Sequence, residues 1–397
     1  GSGPTRDLRL DTAPPGPGDA DPKDVLWRLH DSALPPREVR ITGVEPIDDR
    51  RTRFTAIDEV AAYHRAATSD LSVPLPVIRR RTPRVLAMSL SERLVRVSAG
   101  YAVEIEAVLS VAGDWRGGAE PDRIEARLRE DTSHEIKAVC VVHNETSTGS
   151  VSPIAEVRKA IDAAGHPALL MVDSISGLAS IDFRFDEWGV DVCVSGSQKG
   201  LMLPPGLSFN AVSERALEHS KSVTTPRSYW DWQDMVGPNA TGYFPYTPGT
   251  NLLYGLNEAI DMLHEEGLDN VFARHARHGA AARAAVRAWG LEVLCARQGQ
   301  ESGVLTAVLV PEGHSADAFR ATTLKHYDIS LGNGLSKVAD KVFRIGHLGD
   351  FNDLMLMATL SGVEMGLAQS GIPHESGGAQ AAMEHLKETT QARIAAE

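Results

Sequence analysis

Ile136-Lys-Ala-Val-Cys-Val-Val142, Ser152-Pro153 and Ala168-Leu-Leu-Met-Val172-Asp173 decide the fold of this chain. The first is a mostly apolar run of strand length. Ser152 then offers a capping hydroxyl and Pro153 a first helical position; Ile154, Val157 and Ile161 follow at helical spacing until Gly165 stops the helix. The third is a second apolar run. Strand, helix and strand in this order make a β-α-β unit, and runs so uniformly apolar suit a parallel sheet covered on both faces. Val190–Val194 and Leu207–Val212 add further strands. Ligands of such sheets bind beyond the carboxyl ends of the strands.

Two groups fall at that edge. Asp173 closes one strand, and Ser195-Gly196-Ser197-Gln198-Lys199-Gly200 follows the next. Most lysines are simply solvated, and aspartate often ends a strand as a turn residue. Their joint placement separates this pair. Gly196 and Gly200 let the backbone approach a ligand closely, and Ser195, Ser197 and Gln198 offer hydrogen bonds. An aspartate closing Ala-Leu-Leu-Met-Val is costly to bury without a cationic partner. A lysine amine that holds an aldehyde cofactor as a Schiff base, with a carboxylate on the cofactor's protonated ring nitrogen, satisfies both. Pyridoxal phosphate (PLP) is the cofactor that needs these two groups.

Outward from this centre the chain divides in three. Residues 84–265 read as the large cofactor-binding domain, and residues 266–397 as a smaller C-terminal α+β domain. In the latter, Val271–Trp289 reads as a long helix, Leu291–Cys295 and Val304–Val310 as strands, Ser315 as the cap of a helix through Leu324, Val342–Ile345 as a strand, and Asn352–Leu367 as a terminal helix. Residues 1–83 form a divergent segment. Positions 12–23 are rich in Pro, Gly and Asp and read as coil; Arg50-Arg51-Thr52-Arg53 and Arg79-Arg80-Arg81 are basic clusters without clear periodicity, of the kind that is usually solvated.

A chain of 397 residues buries a large core and suits about two domains. Its formal charge of −13 gives nucleic-acid binding no electrostatic support. No apolar run approaches the ~20 residues of a membrane helix, and no signal peptide is visible. Cys140, Cys193 and Cys295 lie far apart. Cys140 and Cys193 read as buried free thiols in strands, consistent with a reducing, cytoplasmic setting and with neither a disulfide framework nor a metal. His275 and His278, beside Arg274 and Arg277, have no third ligand spaced with them and read as a solvated basic helix face.

Arg344 lies in the apolar strand Val-Phe-Arg-Ile. A long cation there needs an anion: either an internal carboxylate such as Asp350, or the α-carboxylate of an amino acid held by two parallel hydrogen bonds. Thr146-Ser-Thr-Gly149 follows a strand and precedes a helix, as a capping cluster does; His143 and Asn144 suit a substrate pocket and a satisfied structural role equally. Several of these segments in order carry a resemblance: His143-Asn-Glu-Thr-Ser-Thr-Gly149, Val172-Asp173, Ser195–Gly200 with Leu203-Pro-Pro-Gly206, Tyr246-Thr247-Pro248, and Lys341-Val-Phe-Arg-Ile-Gly-His347. From about residue 120 the chain resembles the class V aminotransferases of PLP fold type I, and within them the serine–glyoxylate and alanine–glyoxylate enzymes, the bacterial serine–glyoxylate branch especially.

The resemblance implies a mostly parallel central sheet with helices on both faces and a smaller C-terminal α+β domain. It implies Lys199 as the Schiff-base lysine and Asp173 on the ring nitrogen. It implies Thr146 on the phenolic oxygen, Ser197 and Gln198 near the cofactor, the latter at its phosphate, and Arg344 on the substrate carboxylate with Asn144 nearby. It implies, too, that Tyr246 and Thr247 lie on a loop that crosses a homodimer interface to the neighbour's cofactor phosphate, with shared active sites. The substrates implied are an amino acid, serine first and aspartate or alanine next, and glyoxylate as the oxo acid. The N-terminus departs from the family. Gly3-Pro4-Thr5 matches its opening, but no glycine-rich phosphate loop is recognisable between residues 6 and 84, and no aromatic stands near Ser89–Arg93 to stack on the ring. Replaced sequence, a changed reading frame and a different mode of cofactor binding are the three readings of this stretch. They leave a PLP-fold protein without catalysis as the rival to an aminotransferase; lyase or desulfurase chemistry is a third course, the latter requiring a mobile cysteine near the cofactor.

Overall fold

The computed structural model describes residues 113–223 and 227–396, and before them the backbone of five strands. The chain divides into two compact units, Gly1–Ala112 with Thr224–Tyr229, and Gly113–Val223 with Trp230–Glu397. In the first, β1 (Val25–Asp31), β2 (Leu34–Asp48) and β3 (Arg51–Asp58) form an antiparallel sheet in that order, and β4 (Met88–Val97) pairs antiparallel with β5 (Gly100–Leu109). Arg51 and Arg53 therefore lie in a strand, although their surroundings show no periodicity. The expected phosphate loop and ring-stacking aromatic concern side chains outside the described residues.

The second unit opens with α1 (Pro121–Glu130) and then builds the predicted β-α-β core. β6 (Ala138–Val142) leads through the two-residue strands β7 (Asn144–Glu145) and β8 (Ser150–Val151) to α2 (Ile154–Ala163), β9 (Leu169–Asp173), β10 (Val192–Gly196) and β11 (Ser208–Val212). The sheet order is β11-β10-β9-β6. β6, β9 and β10 run parallel, with Val142 opposite Asp173 and Asp173 opposite Val194; β11 is antiparallel. Ile154, Val157 and Ile161 bury their side chains against Leu170, Val172 and Cys193. Each such burial stabilises by about 1.5–3 kcal/mol. Asp191 ties the sheet to the next helix, α3 (Glu214–Lys221): its carboxylate accepts the Leu170 amide at 2.8 Å and pairs with Arg215.

Two local expectations change. Ser152 does not cap α2, which starts on Pro153 without a side-chain cap; its hydroxyl accepts the Ala119 amide at 3.1 Å and so joins the segment before α1 to the sheet. Cys140 is exposed, not buried: it and Val142 lie on one face of β6, which is open among the described residues, while Val141 faces the core.

After α4 (Trp232–Ala240), the long helices α5 (Thr250–Glu266) and α6 (Leu268–Ala288) lead to a second sheet. It is formed by β12 (Glu292–Val293), β13 (Leu305–Leu309), β14 (Gly332–Asn333) and β15 (Val342–Gly346), in the antiparallel order β12-β13-β15-β14. α7 (Ala316–Tyr327), capped by Ser315, precedes β14, and α8 (Asp353–Gln369) and α9 (Gly378–Ala396) follow β15. Trp289, Phe319, Phe343, Ile345, Leu356 and Leu360 are the centre of this core. The expected solvated face of α6 is absent: His275 and His278 are 1% and 0% exposed, since α6 packs against α5, α8, α9 and the second sheet. Among the described residues no group of histidines, cysteines and carboxylates is placed to hold a metal, and no helix is long and apolar enough to cross a membrane.

Candidate active site

The carboxyl ends of β6, β9 and β10 bring the predicted residues to one edge. Asp173 ends β9; its main-chain carbonyl accepts the His143 amide at 2.8 Å, and the Ser174 amide bonds the Val194 carbonyl of β10 at 2.9 Å. These bonds fix the three chain exits side by side. Asp173 Oδ1 accepts the Ile175 amide at 2.9 Å, whereas Oδ2 has no donor among the described residues. The turn after β10 presents Lys199, half-buried, and no hydrogen bond or ion pair reaches its Nζ among the described residues. An unpaired amine and an unpaired carboxylate oxygen thus stand on neighbouring strand exits.

The exit of β6 supplies a polar wall. Asn144 Nδ2 donates to Ser176 Oγ at 2.8 Å, Ser176 Oγ donates to the Asn144 carbonyl at 2.8 Å, and Thr146 Oγ1 meets the same Ser176 hydroxyl at 3.0 Å. Asn144 Oδ1 is buried with no partner. A buried acceptor left unmade costs free energy, so it fits a donor brought by a ligand. Ser176 was not among the predicted residues; the alternating serines of Asp173-Ser-Ile-Ser-Gly177 were its only signal. His143 takes the structural role. It is 2% exposed, its Nδ1 meets Ser174 Oγ at 3.0 Å, it packs on Phe183 and Trp188, and burial lowers its pKa to about 4.

Arg344 reaches this wall from β15. Its Nε donates to the Asn333 carbonyl at 2.8 Å and one terminal nitrogen to the Thr146 carbonyl at 3.1 Å. No carboxylate pairs with it among the described residues, so Asp350 is not its partner. Burial holds its pKa below the usual guanidinium value, and the neighbouring Arg320 adds to that. The stem crosses Gly332, where an added Cβ would stand 3.1 Å from the Arg344 Cβ.

The remaining predicted residues divide. Ser197 is wholly buried, and its hydroxyl donates to the Pro204 carbonyl at 2.8 Å and accepts the Leu207 amide at 3.2 Å. These two bonds close the loop behind Lys199. Gln198 is exposed and folds its side chain over Gly196. Tyr246 and Thr247 are exposed on the loop before α5. Cys193 lies close enough to Asp173 to feel its charge; burial first, and that charge second, push its thiol up to about 11. It is no thiolate, and the desulfurase course has no nucleophile there.

Strand exits that hold a lysine amine and an aspartate oxygen without partners among the described residues, met by an arginine of the second sheet that pairs with no described carboxylate, are the arrangement of a PLP enzyme acting on amino acids. Comparison with known proteins agrees. The family model for class V aminotransferases matches residues 106–347, and this chain belongs to that family. The serine–glyoxylate aminotransferase of Methylorubrum extorquens is 50% identical over 286 residues, covering 70% of this chain and 71% of that protein. The L-aspartate–glyoxylate aminotransferase of Paracoccus denitrificans is 47% identical, covering 72% of each. Among solved structures, pyridoxamine–pyruvate aminotransferase from Mesorhizobium loti superposes with a TM-score of 0.65 at 30% identity, over 71% of this chain and 72% of that one. The fold is that of the PLP fold type I enzymes, the chain is an aminotransferase, and PLP is its cofactor. Lys199, Asp173 and the orphan acceptor of Asn144 are a donor and acceptor set that fits this group.

Proposed function

We propose that this aminotransferase moves the amino group of serine to glyoxylate, giving hydroxypyruvate and glycine. The observation that carries the reading is the placing of Lys199 Nζ and Asp173 Oδ2, both without partners among the described residues, on adjacent strand exits, with Arg344 bonded to the neighbouring Thr146 carbonyl. The names of the similar enzymes support glyoxylate as acceptor and serine as donor, with aspartate and alanine as the next candidates. PLP supplies an aldehyde for the amine and an electron sink for the α-carbon.

This chain's residues do the rest. Lys199 Nζ would hold the cofactor and, as a free amine, would take the proton from the donor's α-carbon. In the second half the same amine delivers a proton to the carbon of glyoxylate that becomes the α-carbon of glycine. The Asp173 carboxylate would hold the cofactor's positive ring nitrogen. Thr146, Asn144 and Gln198 orient the cofactor and substrate by hydrogen bonds. Arg344 grips the α-carboxylate of both substrates in turn. The working unit is a cytoplasmic homodimer in which Tyr246 and Thr247 reach the partner's cofactor phosphate; their exposure and that of Tyr243 and Phe244 support this.

Incubation with serine and glyoxylate should give glycine and hydroxypyruvate in equal amounts. Borohydride reduction of the PLP-loaded protein followed by peptide mapping should place the label on Lys199. A label elsewhere, or none, overturns the assignment.

A further inference from the structure

The turn that presents Lys199 holds a non-glycine residue in an unfavourable conformation. Met202 has φ 60°, in the left-handed region, and its amide bonds the Lys199 carbonyl at 2.9 Å. Such a residue stays in place only where its surroundings over-determine it. Part of the hold is apolar: Leu201 and its neighbours Met202 and Leu203 pack with Leu263 of α5 and Val271 of α6. The other part is Gly349, in the loop leaving β15. An added Cβ at Gly349 would lie 3.3 Å from Met202 Cγ and 4.0 Å from the Lys199 carbonyl oxygen, and its φ of 87° suits glycine.

Gly349 is itself gripped at both ends by two adjacent residues of α6. The Gly349 amide donates to His275 Nε2 at 3.1 Å, and Arg274 donates to the Gly349 carbonyl at 2.9 Å and the Phe351 carbonyl at 3.0 Å. Arg274 is anchored by Glu266, at 2.6 and 2.7 Å. His275 Nδ1 meets the Val271 carbonyl at 2.7 Å, which fixes the proton on Nδ1 and leaves Nε2 an acceptor. The imidazole is 1% exposed. Gly349 follows Arg344 by five residues, so one brace touches both the carboxylate strand's exit and the lysine turn.

We propose that His275, with Arg274, is a positioning residue: through Gly349 it holds the Lys199–Met202 turn in register with the Arg344 strand. The inference rests on the assignment of Lys199 made above. Two variants separate a positioning role from mere packing. His275→Gln carries an acceptor to about the place of Nε2, while His275→Asn keeps only the short bond toward Val271.

Hydrogen exchange is measured first on protein without cofactor. In His275→Asn the Gly349 and Met202 amides should exchange about tenfold faster, the factor expected for one lost hydrogen bond. In His275→Gln both should stay within about threefold of the parent, an allowance smaller than one lost bond. With PLP and serine, kcat should fall about tenfold in the Asn variant with KM nearly unchanged, and the Gln variant should recover it, as expected when a transition-state geometry rather than binding is disturbed. Equal effects of Gln and Asn, or faster exchange at Gly349 with none at Met202, would overturn the brace. If Lys199 takes no cofactor in the parent protein, the exchange arm still decides the brace while the proposed reaction fails separately.

Discussion

Arg344→Lys tests the carboxylate site most sharply, because it keeps the charge and removes the fork. Arg344 spends two N–H groups on the Asn333 and Thr146 carbonyls, and its remaining N–H groups have no acceptor among the described residues. A carboxylate bound there gains two charge-assisted hydrogen bonds, each about 1.5–3 kcal/mol. A lysine amine reaches one carboxylate oxygen, so about 1.5–3 kcal/mol is lost and kcat/KM should fall about 10- to 150-fold. The fold should survive, since Arg344 keeps its main-chain pairing with Ala307 in the β13–β15 ladder. The assay compares serine with ethanolamine, which has the same amine and hydroxyl but no carboxylate. The variant should lose its activity on serine and lose little of its slow activity on ethanolamine, so the ratio of the two collapses. An equal fall on both donors would show that Arg344 only supports the Thr146 loop, and the carboxylate assignment would be wrong.

Asp173→Asn keeps the acceptor for the Ile175 amide but removes the charge; turnover should drop by orders of magnitude with little change in melting temperature, and near-normal turnover would make Asp173 a turn residue. The buried histidines predict acid sensitivity. Burial lowers the pKa of His143 and His275 to about 4 and of His347 to about 3, below the unfolded value of about 6.5, so the unfolded chain binds more protons in between. Their stabilisation is complete above pH 6.5 and is lost as pH falls toward 4, on the order of 3 kcal/mol for each ring; a melting temperature flat from pH 6.5 to 5 would contradict this. With no glycine-rich cradle recognisable in residues 6–84, the phosphate lacks about two charge-assisted bonds, and PLP should be held some 10²–10⁴-fold more weakly than in similar enzymes. Dialysis against a competing amine, followed by visible absorbance, measures this, and full retention would mean another phosphate site.

The β-α-β core was legible because burial on both faces of a parallel strand writes itself as an unbroken apolar run, and helix α2 as a 3.6-residue period. Lys199 and Asp173 followed from the same logic, since the carboxyl edge of such a sheet is where chain exits gather. Other matters depended on what lies across the chain. Whether Arg344 meets Asp350 or the Thr146 carbonyl is a contact over 198 positions of sequence, which no local pattern encodes. Ser152 looked like a helix cap, and its hydroxyl serves Ala119 instead. His275 and His278 looked solvated because basic residues flank them, yet α6 is covered on several sides and buries both. Cys140, in an equally apolar run, is exposed because it lies on the face of β6 that stays open among the described residues. Sequence periodicity reports which residues share a face of one element; only packing decides what that face meets, and the site's arginine and its brace are made of such meetings.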